Sequence, residues 1–215
     1  MKVIEPRVEA FLRKTYQKNS RALEDLRATA LKKHVPIIDR DVENFLKFTV
    51  VSHDVSRVLE IGSGVGYSAL VFAQAMGKGL VVTVERHRRR YREAEANIAA
   101  LKGAVDIKLL EGDAREILPA LEGSFDLIFI DGGKSHYRIF FELALKRLSP
   151  GGMIVSDNVF FQGQVFPEAS VPRRNRTSSR AMQEFLELVF KEPYHSVILP
   201  LGDGLLLTTL SKEER

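Results

Sequence analysis

Four residues near the ends of two short apolar runs have the types and spacing to assist chemistry on an oxygen nucleophile. Phe129-Ile130-Asp131 closes one run and Val155-Ser156-Asp157-Asn158 closes another. Two carboxylates and an amide oxygen form a hard, all-oxygen donor set. Such a set suits Mg²⁺ (or Mn²⁺), with water and substrate oxygens completing an octahedron. One aspartate at a strand end is more often a turn former than a ligand; two beside an asparagine are far more specific. Lys134 completes Asp131-Gly132-Gly133-Lys134. A lysine beside a dication has its pKa lowered by like charge, which suits a base for a substrate hydroxyl. Its plainer role is a surface lysine opening a helix, and the D-x-x-K spacing favours the base.

A second constellation surrounds the loop Glu60-Ile61-Gly62-Ser63-Gly64-Val65-Gly66-Tyr67-Ser68. Glycines at a strand-to-helix turn let a ligand approach the backbone at the carboxyl edge of a sheet. The third glycine falls one position early for the dinucleotide fingerprint, as expected for a nucleoside ligand without a pyrophosphate. Glu85 ends the next strand, 19 residues after Gly66, where a carboxylate can accept both ribose hydroxyls. Asp113, in Glu111-Gly112-Asp113-Ala114, could reach an adenine amino group or cap the helix that follows, and the two roles are compatible.

These residues need strand ends to present them, and the chain supplies the elements. Apolar residues at helical spacing predict helices around 6–19, from Leu23 to Leu31, and about 40–50. From residue 57, β-branched runs at Arg57–Ile61, Leu80–Glu85, Asp106–Leu110, Phe125–Ile130 and Met153–Ser156 alternate with helical patterns near 66–76, 87–101, 114–120 and 135–148. Such alternation predicts parallel strands joined by right-handed crossovers, with helices on both faces. After a helix near 178–191, His195–Leu199 and Leu205–Leu210 flank a short glycine-containing link, which predicts an antiparallel hairpin. The stretch 162–179 has weak periodicity and is expected to be a functional or mobile loop.

Composition narrows the class. The 215 residues suit one domain over 1–215, with an N-terminal helical region (1–50) and an α/β core (51–215). The chain has no cysteine, which excludes disulfides, thiolate metal sites and a cysteine nucleophile. No apolar run approaches the roughly 20 residues of a membrane span, and Met1–Arg7 lacks the apolar core of a signal peptide. A cytoplasmic protein is expected. The net charge of +4 is small but clustered, in Arg86-His87-Arg88-Arg89-Arg90 and Arg173-Arg174-Asn175-Arg176. Such runs attract polyanions or simply face water.

Taken together, Glu-x-Gly-x-Gly-x-Gly-Tyr-Ser, the acid closing the second strand and Gly-Asp-Ala after the third resemble class I S-adenosylmethionine-dependent methyltransferases. Gly66-Tyr67-Ser68, D-x-x-K and the Asp-Asn pair resemble the catechol and caffeoyl-CoA type of metal-dependent O-methyltransferase. The resemblance implies an α/β, Rossmann-like fold: a seven-stranded, mostly parallel sheet with an antiparallel C-terminal hairpin strand and helices on both faces. It implies cofactor contacts at Val35, Glu60, Gly62, Ser68, Glu85, Asp113, Ala114 and Asp131, metal ligands at Asp131, Asp157 and Asn158, and catalysis by Lys134 and Asp131. Gly132-Gly133 departs from the usual Ala-Ala there. A homodimer is the common assembly.

Asp157–Gly163, the arginine segment and Leu199–Leu205 are similar to bacterial tRNA 5-hydroxyuridine methyltransferases. That likeness implies methylation of the wobble 5-hydroxyuridine to 5-methoxyuridine, with Arg173, Arg174 and Arg176 holding the tRNA anticodon loop. The base's 5-hydroxyl and 4-carbonyl are vicinal oxygens, as in a catechol. Two further readings stay open: a small-molecule catechol or caffeoyl-CoA O-methyltransferase, and a silent S-adenosylmethionine- or RNA-binding module. The intact Asp131, Lys134, Asp157 and Asn158 argue against silence.

Overall fold

The structure, a computed structural model, describes residues 5–101 and 103–210; the reading of Met1–Arg7 therefore falls mostly outside the described residues. The elements run α1 (Pro6–Thr15), α2 (Arg21–Lys32), α3 (Arg40–Ser52), β1 (Arg57–Ile61), α4 (Tyr67–Met76), β2 (Leu80–Glu85), α5 (Arg88–Leu101), β3 (Asp106–Glu111) and α6 (Ala114–Ala120). They continue with β4 (Phe125–Ile130), α7 (Tyr137–Leu145), β5 (Leu148–Ser156), α8 (Arg176–Val189), β6 (Tyr194–Leu199) and β7 (Leu205–Leu210). The seven strands form one sheet in the order β3-β2-β1-β4-β5-β7-β6. β1 to β5 pair in parallel, and β7 lies antiparallel between β5 and β6.

Strand periodicity explains the two cores. Along β4, Leu127 and Phe129 join the cluster under α2 to α5, whereas Ile128 and Ile130 join the cluster under α6 to α8; Phe125, before the register shift at Leu127, joins the second cluster out of turn. Successive side chains of a strand point to opposite faces, and both faces here are covered. The strand order reverses between β1 and β4, which is where open α/β sheets form their ligand crevice.

The boundaries depart from expectation at instructive places. β5 begins at Leu148, because Phe125 pairs with Leu148 and Leu127 with Met153, leaving Ser149–Gly152 as an irregularity. Lys134–His136 form a 3₁₀ turn before α7. α1 stops at Thr15, where Tyr16 turns to extended backbone. The 162–179 stretch is tied down: Gln162 N donates to Asp203 Oδ2 at 2.6 Å, Asn175 Nδ2 donates to Gln164 Oε1 at 2.8 Å, and Val165 is buried. No described helix is long and apolar enough to cross a membrane.

The N-terminal helices share the core through Leu23, Ala30, Val42 and Leu46, and an ionic cluster locks them to α4. Glu43 is fully buried. Its Oε1 accepts from Arg40 Nη1 at 2.9 Å and Asn19 Nδ2 at 2.8 Å, while Oε2 accepts from Tyr67 Oη at 2.7 Å and Arg27 Nη1 at 3.4 Å. Removing one partner of a buried ionic cluster strands the others. Glu43→Ala is accordingly expected to lower the urea unfolding free energy by about 3–5 kcal/mol. A loss below ~1 kcal/mol, the range of an exposed pair, would show that the cluster does not hold these helices.

Candidate active site

The loop between β1 and α4 is folded by its neighbours. Gly62 N and Ser63 N both donate to Val84 O, at 2.9 and 3.1 Å, and Gly64 N donates to Glu85 Oε2 at 2.9 Å. Glu85 Oε1 accepts from His87 N at 2.8 Å, so this carboxylate braces the glycine loop and the start of the next crossover together. Gly62 has φ +104°, and a Cβ there would lie 2.7 Å from the carbonyl oxygen of Asp131. A glycine is required at 62 because β1 and β4 end against each other, a reason different from the close ligand approach expected from the motif.

A cavity of about 280 Å³ opens on this loop, walled by Gly62, Ser68, Glu85, Asp113, Ala114 and Asp131, all six anticipated from the sequence. Pro36, Ile37 and Ile38 close its other side. Val35, expected as a contact, is buried in the core cluster instead, and its three successors supply the wall. Glu60 is fully buried behind the loop, with Thr83 Oγ1 donating to its Oε2. Burial pushes the Glu60 carboxyl up to about 7. Asp113 serves as a helix cap while it faces the cavity: Oδ1 accepts from Arg115 N at 2.9 Å. The Arg115 guanidinium, 2.7 Å from Oδ2, holds that carboxyl down at about 2.

The acid pair follows from strand register. Ile130 pairs with Ser156, so Asp131 and Asp157 emerge side by side, with Asp131 N donating to Ile61 O and Asp157 N to Ile130 O, each at 2.9 Å. Asp157 is 1% exposed. Burial raises both carboxyls, Asp131 to about 7 and Asp157 well above its usual range, and their mutual repulsion adds to the rise in Asp157. Asn158 stands beside them in the left-handed region at φ +54°, its N–H donating to Asp157 Oδ1 at 2.7 Å. Two buried like charges with a neighbouring amide are relieved by a bound dication. The donor set therefore fits Mg²⁺ or Mn²⁺. Among the described residues no group of three or more His, Asp or Glu side chains is placed to hold a metal ion, so the rest of an octahedron would come from the amide, water and substrate.

Two residues brace this corner from below. Tyr137 Oη donates to Asp157 O at 2.8 Å, a role that its place at the start of a helix does not signal in the sequence. Lys134 Nζ donates to Asn158 O at 3.2 Å and lies 5.6 and 5.7 Å from the ring centres of Tyr137 and Phe161. Burial lowers the Lys134 pKa, with Asp131, Asp157 and Asp203 opposing the shift.

A second cavity, about 360 Å³, adjoins the first. Asp131, Asp157 and Asn158 stand in its wall, with Leu12 of α1 and Tyr16 just after it. Asp131 and the Pro36–Ile38 segment border both cavities. Asp39 and Asp203 also line the second one; the sequence reading saw Asp203 only as part of a hairpin link. Arg173, Arg174 and Arg176 are exposed at the start of α8 and line neither cavity. Of the other basic run, Arg86, His87 and Arg90 border the first cavity, and Arg89 and Arg90 pair with Glu93.

Comparison with known proteins agrees with this geometry. A family model described as O-methyltransferase matches residues 13–211. A catechol O-methyltransferase of Niastella koreensis is 35% identical over 131 residues, 59% of each chain. A catechol O-methyltransferase of Mycobacterium tuberculosis is 32% identical over 168 residues, 76% of each chain. An SAH-bound methyltransferase of Podospora anserina superposes with a TM-score of 0.84 at 27% identity, covering 95% of this chain and 94% of its own. The chain belongs to the O-methyltransferase family.

Proposed function

We propose that this protein transfers the methyl group of S-adenosylmethionine to one hydroxyl of a small acceptor with two vicinal oxygens, assisted by a divalent cation. The position of Asp131 carries this reading: a single residue borders both cavities and belongs to the candidate metal set. The donor is supported by the SAH-bound relative, since SAH is what remains after S-adenosylmethionine gives up its methyl group. The acceptor class is supported by the catechol O-methyltransferases among the relatives.

When bound, S-adenosylmethionine supplies a methyl carbon whose bond to sulfur breaks as its bond to the acceptor oxygen forms, and a dication would acidify that oxygen. Glu85 would hold the ribose hydroxyls and Asp113 the adenine amino group. Asp131, Asp157 and Asn158 would hold the cation. Lys134, which stands behind the acid pair with Nζ on Asn158 O and lines neither cavity, would take the hydroxyl proton; its buried setting makes the neutral amine accessible at lower pH than for a free lysine. Pro36, Ile37 and Ile38 keep water from the junction of the two compartments.

Methylation of wobble 5-hydroxyuridine is the less favoured reading. It needs Arg173, Arg174 and Arg176 to hold phosphates beside the acceptor, yet none of the three borders its cavity. A base with vicinal oxygens would still satisfy the acid pair, so tRNA belongs in the test.

Incubation with labelled S-adenosylmethionine, Mg²⁺ and a simple catechol is expected to yield a labelled methyl ether, and EDTA to abolish it. Transfer confined to hydroxyuridine-containing tRNA would overturn the small-acceptor reading, and transfer indifferent to EDTA would remove the metal. Asp157→Ala is expected to abolish turnover while calorimetric binding of S-adenosylmethionine persists; loss of both would assign Asp157 to structure alone. Lys134→Ala should lower kcat by roughly 10²–10⁴-fold, the usual contribution of a positioned base. A change under about threefold would take the proton-accepting role away from it.

A further inference from the structure

The wall of the acceptor cavity carries more negative charge than a metal ion can neutralise. Six carboxylates line it, from Glu9, Asp39, Asp41, Asp131, Asp157 and Asp203, against the guanidiniums of Arg13 and Arg40. Both guanidiniums are engaged elsewhere. Arg13 pairs with Glu9 along α1. Arg40 is held by Glu24 at 2.7 Å and by Glu43 at 2.9 Å. A dication on Asp131 and Asp157 would offset that pair, leaving Asp39, Asp41 and Asp203 with no salt bridge among the described residues.

These three acids come from the start of α3 and from the β6–β7 link, and Asp41 and Asp203 are held in place by backbone N–H groups. Asp41 Oδ2 accepts from Gly202 N at 3.0 Å, which ties the start of α3 to the β6–β7 link. Asp203 Oδ2 accepts from Gln162 N at 2.6 Å, and Asp203 Oδ1 is buried with no hydrogen-bond partner. A buried, unpaired carboxylate oxygen is poorly screened, so its field reaches further than that of a surface acid. The acids also act on one another. Burial and the charge of Asp41 raise the Asp39 carboxyl, and the field of Asp39 extends to Asp157. Arg27 and Arg13 oppose the rise at Asp39, and Lys134 faces Asp131, Asp157 and Asp203.

We infer that Asp39, Asp41 and Asp203 select the acceptor by charge, admitting neutral and cationic vicinal diols and rejecting those with a carboxylate or phosphate beside the ring. The inference rests on the acceptor reading given above and narrows it. Leu12, Tyr16, Pro36 and Ile37 supply the flat apolar surface that a ring needs, and the acids then decide which substituent the ring can carry. A CoA thioester or an RNA backbone would bring phosphates toward a wall on which carboxylates outnumber guanidiniums. A protonated amine would lower the energy of the wall it meets.

The test uses three catechols that share a ring and differ in one side chain: aminoethyl, ethyl and carboxymethyl. Affinity is measured by calorimetry on the full chain with SAH and Mg²⁺ present, and turnover is followed in parallel. The cationic catechol should bind on the order of tenfold more tightly than the anionic one, with the neutral one between them. Raising the salt should narrow that ratio, and Asp39→Asn should narrow it further. Asp203→Asn is the stronger variant, but it disturbs the hold on Gln162; if it fails to fold, the salt series on the wild type still decides. Equal affinities, a preference for the anion, or no binding by any of the three would overturn the inference. Charge-ordered binding without turnover would support the charge selection while refuting methyl transfer to catechols, so the two readings fail separately.

Discussion

Repulsion between a buried carboxylate and a half-buried one at neighbouring strand ends is the constraint on which the rest of the site depends. β4 and β5 are paired so that Ile130 faces Ser156, which leaves Asp131 and Asp157 no choice but to emerge together. Backbone bonds to Ile61 O and Ile130 O fix where each begins, and the Tyr137 hydroxyl holds the Asp157 carbonyl from beneath. Burial then raises both acids. Left alone, such a pair takes up a proton; with a dication it becomes a ligand set. The remaining features bring a methyl donor and an acceptor to that corner.

The donor side is built from the same sheet edge. Gly62 lies so close to the Asp131 carbonyl that no side chain fits, which welds the glycine loop to the corner that holds the acid pair. Glu85 ties that loop to the next crossover through two backbone N–H groups. The acceptor side comes from outside the α/β core. α1 and the Pro36–Asp41 segment lie over the strand ends, and the Glu43 cluster anchors α2 and α3 to the first turn of α4 through Tyr67. An ionic cluster buried between the helices and the cofactor loop thus positions a wall that touches both compartments.

Much of this was legible in the sequence, for identifiable reasons. The strands were readable because doubly covered parallel strands are continuous apolar runs, as in Phe125–Ile130. The acids were readable because they follow those runs immediately. Glu43 was not: its partners Asn19, Arg27 and Tyr67 are scattered along the chain, and on a helix it looks like any solvent-facing glutamate. Asp39 was missed because an aspartate just before a helix is ordinarily a cap, and Asp203 because turn chemistry is the ordinary reason for an aspartate between glycines. Val35 was expected from the resemblance alone, in a region without a distinctive motif, and there its neighbours line the cavities while it packs in the core. The arginines at 173, 174 and 176 were visible as a basic run, but their distance from the acceptor wall depended on how 162–179 folds back onto Asp203 and α8.

Direct titration with Mn²⁺, followed by electron paramagnetic resonance of the free ion, tests the central claim about the acid pair. One stoichiometric site is predicted for the native chain, and it should disappear when Asp131 and Asp157 are both changed to Asn, the isosteric amides that remove the repulsion. A native chain that binds no Mn²⁺, or a double variant that binds it undiminished, would contradict the account.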